Sequence, residues 1–389
     1  MRSFNRRVLI RAVAATALGL LMTLPSTLPA GAAGVQTFTP GRALYDVGVH
    51  SSVTAAQLEA TTSSIPHYTA TAKVGSTSYT YAIVGKNPAN KVTNASTTVK
   101  VKLIPLIMKF SNGDTWNPTK ADSCDLGATP LSRVQKSPLV VKQAWTWGGT
   151  AIGTSQVTDA YQRADFWKYA QPTGVNPTYG VTLSVSTLSA VTVNVPSAYA
   201  ATASISCGNG LLGATDINWL DPYLRGTVIP SLASKGVGPS VLPIFVLHNF
   251  VEYISTTSNC CVLGYHNDYS TAGGIQTYGL GMYDNSSAFA GSSDISALSH
   301  EIGEWQNDPY TTNPTPSWGH IGQVTGCQSN LEVGDPLSGT TFTDTVGGFT
   351  YHPQELAFFS WFYHQSPSLG VHGWYSDQGK FTTYAAACP

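Results

Sequence analysis

Charge is what this sequence has least of. Lysine and arginine number 20 and aspartate and glutamate 21 in 389 residues, so charged side chains make up 11% of the chain and the net charge is −1. Nucleic-acid binding draws on an excess of Lys and Arg to displace counterions, and that balance gives no case for it. Glutamate is scarcer still, with six in the whole chain against 37 glycines, so the places where glutamates gather carry information. No CxxC pair occurs among Cys124, Cys207, Cys260, Cys261, Cys327 and Cys388, which argues against a structural zinc site. Nucleophile-elbow, P-loop and dinucleotide fingerprints are missing, as are internal repeats. Beyond the N-terminal stretch no segment reads as transmembrane.

The N-terminal stretch itself, MRSFNRRVLIRAVAATALGLLMTLPSTLPAGAAG, has basic residues first, an apolar run over 12–24 and small residues at Ala30 and Ala32. It reads as an export signal over residues 1–32, cleaved near Ala32. Arg6 and Arg7 resemble a twin-arginine pair, but Asn5 stands where Ser or Thr is usual, so both export routes stay open. The expectation is a soluble secreted protein with no membrane association after cleavage. Six cysteines in such a chain imply up to three disulfides in any of 15 connectivities, with the adjacent Cys260 and Cys261 expected to join different partners.

Residues 33–75, rich in Thr, Ser and Ala, read as an extended arm with one short helix near 54–61, or as a removable pro-segment. Residues 76–389 read as a single α+β domain. Strands are expected at 77–85 and 97–110, paired as a hairpin through KNPAN. A short helix should follow Ser137 with Pro138 in its first turn. A longer one spans 155–170, with Asp159 and Arg163 spaced to pair. Strands follow at 180–187 and 190–195, then a helix interrupted by Pro222 and Pro230, then an internal strand over 242–254. The glycine-rich GGIQTYGLGMYDN, 273–285, reads as an edge strand on which an extended peptide could pair.

That strand leads into SALSHEIGEWQNDP, 296–309. A helix is expected from Ser292 or Ser293, with Asp294 in its first turn, to Asn307 before Pro309. His300 and Glu304, four apart, project from one face, and Glu301 lies about 100° around the axis. Two ligands one turn apart and a glutamate beside them are what the metal helix of a hydrolase requires. Nine histidines and six glutamates in 389 residues would produce such an HExxE spacing about 0.002 times per chain by chance. A solvated helix face is the competing reading. A glutamate in place of a second histidine lowers the charge of the centre, so manganese and calcium compete better with zinc.

A third ligand is expected from CQSNLEVGDP. Glu332 is the first choice, followed by Asp335, Asp308 and His320, against a plain turn with a capping carboxylate. Asp335 also suits a supporting role, orienting a ligand. In GYHNDYSTAGG, His266 and Asp268 could touch substrate, with an idle loop as the simpler reading. Tyr351, His352 and Glu355 precede an apolar helix; Tyr351 or His352 could donate to an oxyanion, with packing or capping as the alternative for each.

The segment HEIGEWQNDP…EVGDP resembles the plant EXORDIUM or phosphate-induced protein family, over residues 296–336. GTSQVTDAYQRADFW, GYHND and FFSWFYHQ…GWYS are similar to segments of secreted bacterial proteins of poorly defined function, over most of the mature chain. The residues matched to the EXORDIUM pattern are His300, Glu301, Glu304, Glu332 and Asp335; Pro336 and Leu337 stand where that family has Leu-Cys. The likeness implies a role in growth or at the cell wall.

The expectation is therefore a zincin-like α+β fold, a mixed twisted sheet with an edge strand beside a metal-binding helix. Its function would be that of a secreted metallohydrolase, an endopeptidase acting on peptide or protein. His300, Glu304 and Glu332 would bind a divalent metal, zinc first, and Glu301 would serve as base. The rival is a non-catalytic extracellular protein that binds a cell-wall polymer or carbohydrate; 19 Tyr and nine Trp leave aromatic surface enough for that.

Overall fold

The computed structural model describes residues 34–41, 43, 64–319, 326–386 and 388. The expected export signal, the helix near 54–61 and His320 lie outside the described residues. The described residues form one compact unit, an α+β structure made mostly of sheet with few helices.

A curled, half-barrel sheet of seven strands forms its centre. The strands are β1 (Ser96–Phe110), β2 (Thr115–Trp116), β3 (Gly180–Thr187), β4 (Val191–Val195), β5 (Val241–His248), β6 (Gly264–Thr271) and β7 (Gly274–Tyr283). They run in the order β6, β7, β5, β1, β2, and β3 and β4 also pair with β1. At 15 residues, β1 is long enough to be shared: 96–103 pair with β3, 106–110 with β4 and 100–105 with β5, all parallel.

Alternation along the strands separates two cores, because successive side chains point to opposite faces. Val99, Val101 and Leu103 of β1 and Leu242, Ile244 and Val246 of β5 belong to one. Ile104, Leu106, Phe245 and Leu247 belong to the other. The first core is completed by helices α1 (Val157–Asp165) and α2 (Ser296–Asn307), through Ala160, Tyr161, Leu298, Ile302 and Trp305. The second lies against a five-stranded sheet that contributes Ala201, Leu212, Phe250 and Val251. The apolar run 242–254 is buried as expected, but it is two strands in two sheets. Asn249, at φ 46°, carries the chain from one to the other, in a region asparagine tolerates better than most residues.

Other local expectations need correction. The strand Thr77–Val84 does not pair with β1; it folds back on His67–Val74, inside the stretch read as an extended arm. Gly75, at φ 58°, opens the two-residue turn between them. The helix placed after Ser137 lies before it, over Pro130–Lys136, where Thr129 caps by accepting from the Ser132 N–H. Asp159 accepts from the Val181 N–H rather than forming the expected pair with Arg163. Cys260 and Cys261 are bonded to each other, since Cys124 pairs with Cys207 and Cys327 with Cys388, leaving neither another partner.

The correction with most consequence concerns the sheet edge. The expected edge strand, β7, is interior, parallel to β5 on one side and antiparallel to β6 on the other, and nine of its ten residues are buried. The edge is β6, whose sequence GYHNDYST has few β-branched residues and by itself reads as loop. The glycines that suggested an exposed edge serve close approach instead. Gly264 and Gly281 face each other across the ladder. A Cβ would meet Glu301 Cγ at 2.8 Å from Gly264 and Leu298 Cδ2 at 2.8 Å from Gly281. These bare positions seat α2.

Asn313 fastens the end of α2 to the hairpin. Its side chain accepts from the Ala82 N–H at 2.7 Å and donates to the carbonyls of Ala82 and Asn307 at 2.7 and 2.6 Å. Asn313→Ala would leave these groups buried and unpaired, a loss of ~2–4 kcal/mol. The expected readout is a lower denaturant midpoint with an unchanged slope.

Candidate metal centre

Helix α2 starts at Ser296, later than expected, because Asp294 turns aside at φ 38° to bond His352; it ends at Asn307 as expected. All 12 of its residues are buried, so a solvated face is excluded. His300, Glu301 and Glu304 meet β6 and the turn around Asp335, and His266, Glu332 and Asp335 join them. Each of these six residues is between 2% and 8% exposed.

The donor atoms form two groups of three that share Glu304. In the first, His300 Nε2 lies 3.0 Å from Glu304 Oε2 and 3.5 Å from Asp335 Oδ1. In the second, His266 Nδ1 lies 3.5 Å from Glu301 Oε2 and 3.7 Å from Glu304 Oε2. Two atoms bound tetrahedrally to one ion at ~2.0–2.2 Å are roughly 3.3–3.6 Å apart, so both groups have the spacing of a cation site.

The other ring nitrogen of each histidine fixes which way its lone pair points. His300 Nδ1 stands 3.1 Å from Gln354 Oε1. Gln354 is itself held, its Nε2 donating to the Gly334 carbonyl at 2.7 Å and its N–H to Ser299 Oγ at 2.9 Å. The Nδ1 proton is thereby assigned to Gln354, and the Nε2 lone pair faces the carboxylates. His266 Nε2 stands 3.0 Å from the Asp308 carbonyl, so its Nδ1 lone pair faces Glu301 and Glu304. Two lone pairs aimed at carboxylate oxygens require a proton or a cation between them.

Electrostatics express the same demand. Burial lowers the pKa of His300, but Glu304, Asp335 and Glu301 outweigh it and lift it well above the ordinary value. His266 is likewise depressed by burial and raised overall by Glu301, Glu304 and Asp308. Burial, with the charge of Glu304 adding, pushes Asp335 up to about 6 against the pull of His300. Asp308 rises to about 7 by burial, opposed by His266 and by N–H donors. Glu332 is held well above the carboxylate range by burial and by its acidic neighbours.

Local sequence explains these positions. Glu304 Oε1 accepts from the N–H groups of Gly334 and Asp335 at 3.1 and 3.2 Å, tying the helix to the EVGDP turn. Gly334 has no alternative, because a Cβ there would lie 2.5 Å from His300 Nδ1. Gln328 donates to Asp335 Oδ2 at 3.0 Å.

Of the expected third ligands, Asp335 stands with His300 and Glu304. Glu332, the first choice, lies in neither group: its Oε2 is 3.9 Å from His266 Nε2 and has no hydrogen-bond partner among the described residues. The Asp308 carboxylate accepts from the Thr312 and Asn313 N–H groups and stops the helix. Tyr351, His352 and Glu355 make their polar contacts elsewhere, with the Arg133 carbonyl, Asp294 and Ser376 respectively. Asp268 is buried on β6. Sequence reasoning missed His266 as a member of the centre and missed Gln354 altogether. Only the nearness of GYHND to the expected edge strand hinted at the first, and nothing local marks the second.

The raised pKa values set a pH dependence for the metal-free chain. Asp335 and Asp308 keep their protons in the fold at pH values where the unfolded chain has released them, so stability falls as pH rises from about 4 through about 7. His300 and His266, raised in the fold, contribute stability fully below about 6.5 that is lost as pH rises through their folded values. Chelated protein should therefore melt lower at pH 7.5 than at pH 5.5, and a divalent cation should raise the melting temperature chiefly at pH 7.5. Calorimetry at the two pH values, with and without zinc, checks this.

The chain has no match among protein-family models, curated proteins or solved structures.

Proposed function

We propose that this protein is a secreted, zincin-like metal-dependent hydrolase that cleaves peptide bonds. His300, Glu304 and Asp335 would hold the ion, zinc first. One observation carries the reading: the His300 Nε2 lone pair, turned by Gln354, faces Glu304 and Asp335 at ligand spacing from within a buried helix. Support for the zincin likeness comes from β6, an antiparallel edge strand packed beside that helix. A peptide chain would pair with β6, the strand at the end of the seven-stranded order. The three disulfides suit an oxidising compartment, and no described helix is long and apolar enough to cross a membrane.

A divalent ion there would supply Lewis acidity toward a carbonyl and make a water easier to deprotonate. Glu301 would move that proton. Its Oε1 is 3.9 Å from His300 Nε2, near the ligands without being one of the three. It accepts a proton at its carboxylate and delivers it to the leaving amine. The Gly334 and Asp335 N–H groups keep Glu304 in place, and Gln354 keeps His300 in one orientation. The donor set, richer in carboxylate than in imidazole, admits manganese and calcium alongside zinc.

The near-complete burial of the centre favours a second reading, in which the metal is structural and the chain is a non-catalytic binder of a cell-wall polymer or carbohydrate. Glu301→Gln separates the two. On the first reading the variant keeps at least one equivalent of metal and loses peptide hydrolysis by ~10²-fold or more. Unchanged turnover removes the assigned base, and metal binding without hydrolysis in the wild type favours the binder. Loss of metal from the His300→Ala, Glu304→Ala double variant is expected in either case.

A further inference from the structure

We propose that the centre is binuclear, with a second divalent cation held by His266 and Glu301 and with Glu304 bridging it to the ion at His300 and Asp335. The inference rests on the metal-binding reading above and goes beyond it in stoichiometry and in the role of β6.

The second half-site is constructed as the first is. His266 comes from a different element, the edge strand, and its orientation is set independently, by the Asp308 carbonyl at 3.0 Å. That leaves Nδ1 directed at Glu301 Oε2 and Glu304 Oε2, at 3.5 and 3.7 Å. Glu304 Oε2 is therefore near both imidazoles, 3.0 Å from His300 Nε2 and 3.7 Å from His266 Nδ1. Its Oε1 is occupied by two backbone N–H groups. A carboxylate held by one oxygen, with the other shared between two half-sites, is a natural bridge for ions ~3.5–4 Å apart.

Charge leads to the same count. Glu301, Glu304, Glu332 and Asp335 are buried together, and Glu332 Oε2, near His266, has no hydrogen-bond partner among the described residues. One divalent ion would leave two of these carboxylates to be neutralised by protons, whereas a second ion at His266 would neutralise them by its own charge. Two ions balance four carboxylates. Glu301 is then a ligand through Oε2, and proton transfer falls to Oε1, the oxygen nearer His300.

The test is metal stoichiometry. Metal-free full-length secreted protein is titrated with zinc chloride at pH 7.5, freed of excess metal and assayed by mass spectrometry; manganese-loaded samples are examined by electron paramagnetic resonance. The expected result is two ions per chain and a spin-coupled manganese signal. His266→Ala should fall to one ion. So should His266→Gln, whose amide N–H can still donate to the Asp308 carbonyl but whose oxygen is a far weaker zinc ligand than an imidazole nitrogen, so that loss of the second zinc with the first retained separates lost ligation from lost folding. Glu304→Gln should weaken both ions by tenfold or more. One ion in the wild type, unchanged in His266→Gln, overturns the binuclear centre and leaves the single-metal reading standing. Two ions unaffected by His266→Gln also overturn it, by placing the second elsewhere. No bound metal in the wild type overturns both.

Discussion

A helix that carries a histidine and two glutamates is buried along its whole length, and most of the structure around it answers that constraint. Charged and hydrogen-bonding groups withdrawn from water must find partners inside. The two N–H groups of the EVGDP turn satisfy one oxygen of Glu304, and Gln354 satisfies one nitrogen of His300. Close seating is possible because Gly264 and Gly281 are bare beneath the helix and Gly334 is bare against the imidazole. Three glycines far apart in sequence thus serve one packing requirement.

Crowding carboxylates makes the remaining demand. Burial and acidic neighbours raise Glu332 and Asp335, and the carboxylates raise both histidines, so the metal-free centre retains protons at pH values where separate groups would release them. A cation fulfils the same demand with stronger interactions, since attraction between charges grows as water is excluded. Burial that strengthens ion binding also narrows the path for a substrate. This is the physical tension between the hydrolytic and the structural readings of the centre.

The scaffold positions the centre through two cores rather than one. The helix layer and the five-stranded sheet lie on opposite faces of the central sheet, and the long β1 holds both cores in register. The glycine-rich β7 is buried between β6 and β5, so its bare faces admit the helix on one side without losing the ladder on either.

Much of this was legible in the chain itself. The period of HEIGEWQN placed His300 and Glu304 on one face, the alternation in TTVKVKLIPLIMKF marked a strand, and the scarcity of glutamate made EVGDP stand out. Each depends on a local repeat or on composition, which sequence records directly. His266 on an edge strand, Asp335 rather than Glu332 beside His300, Gln354 behind the imidazole and the pairing of Cys260 with Cys261 were decided only by tertiary structure. The sequence by itself determined which side chains could bind a cation; the fold determined which of their atoms face one another, because lone-pair direction is set by partners 42 and 54 residues away.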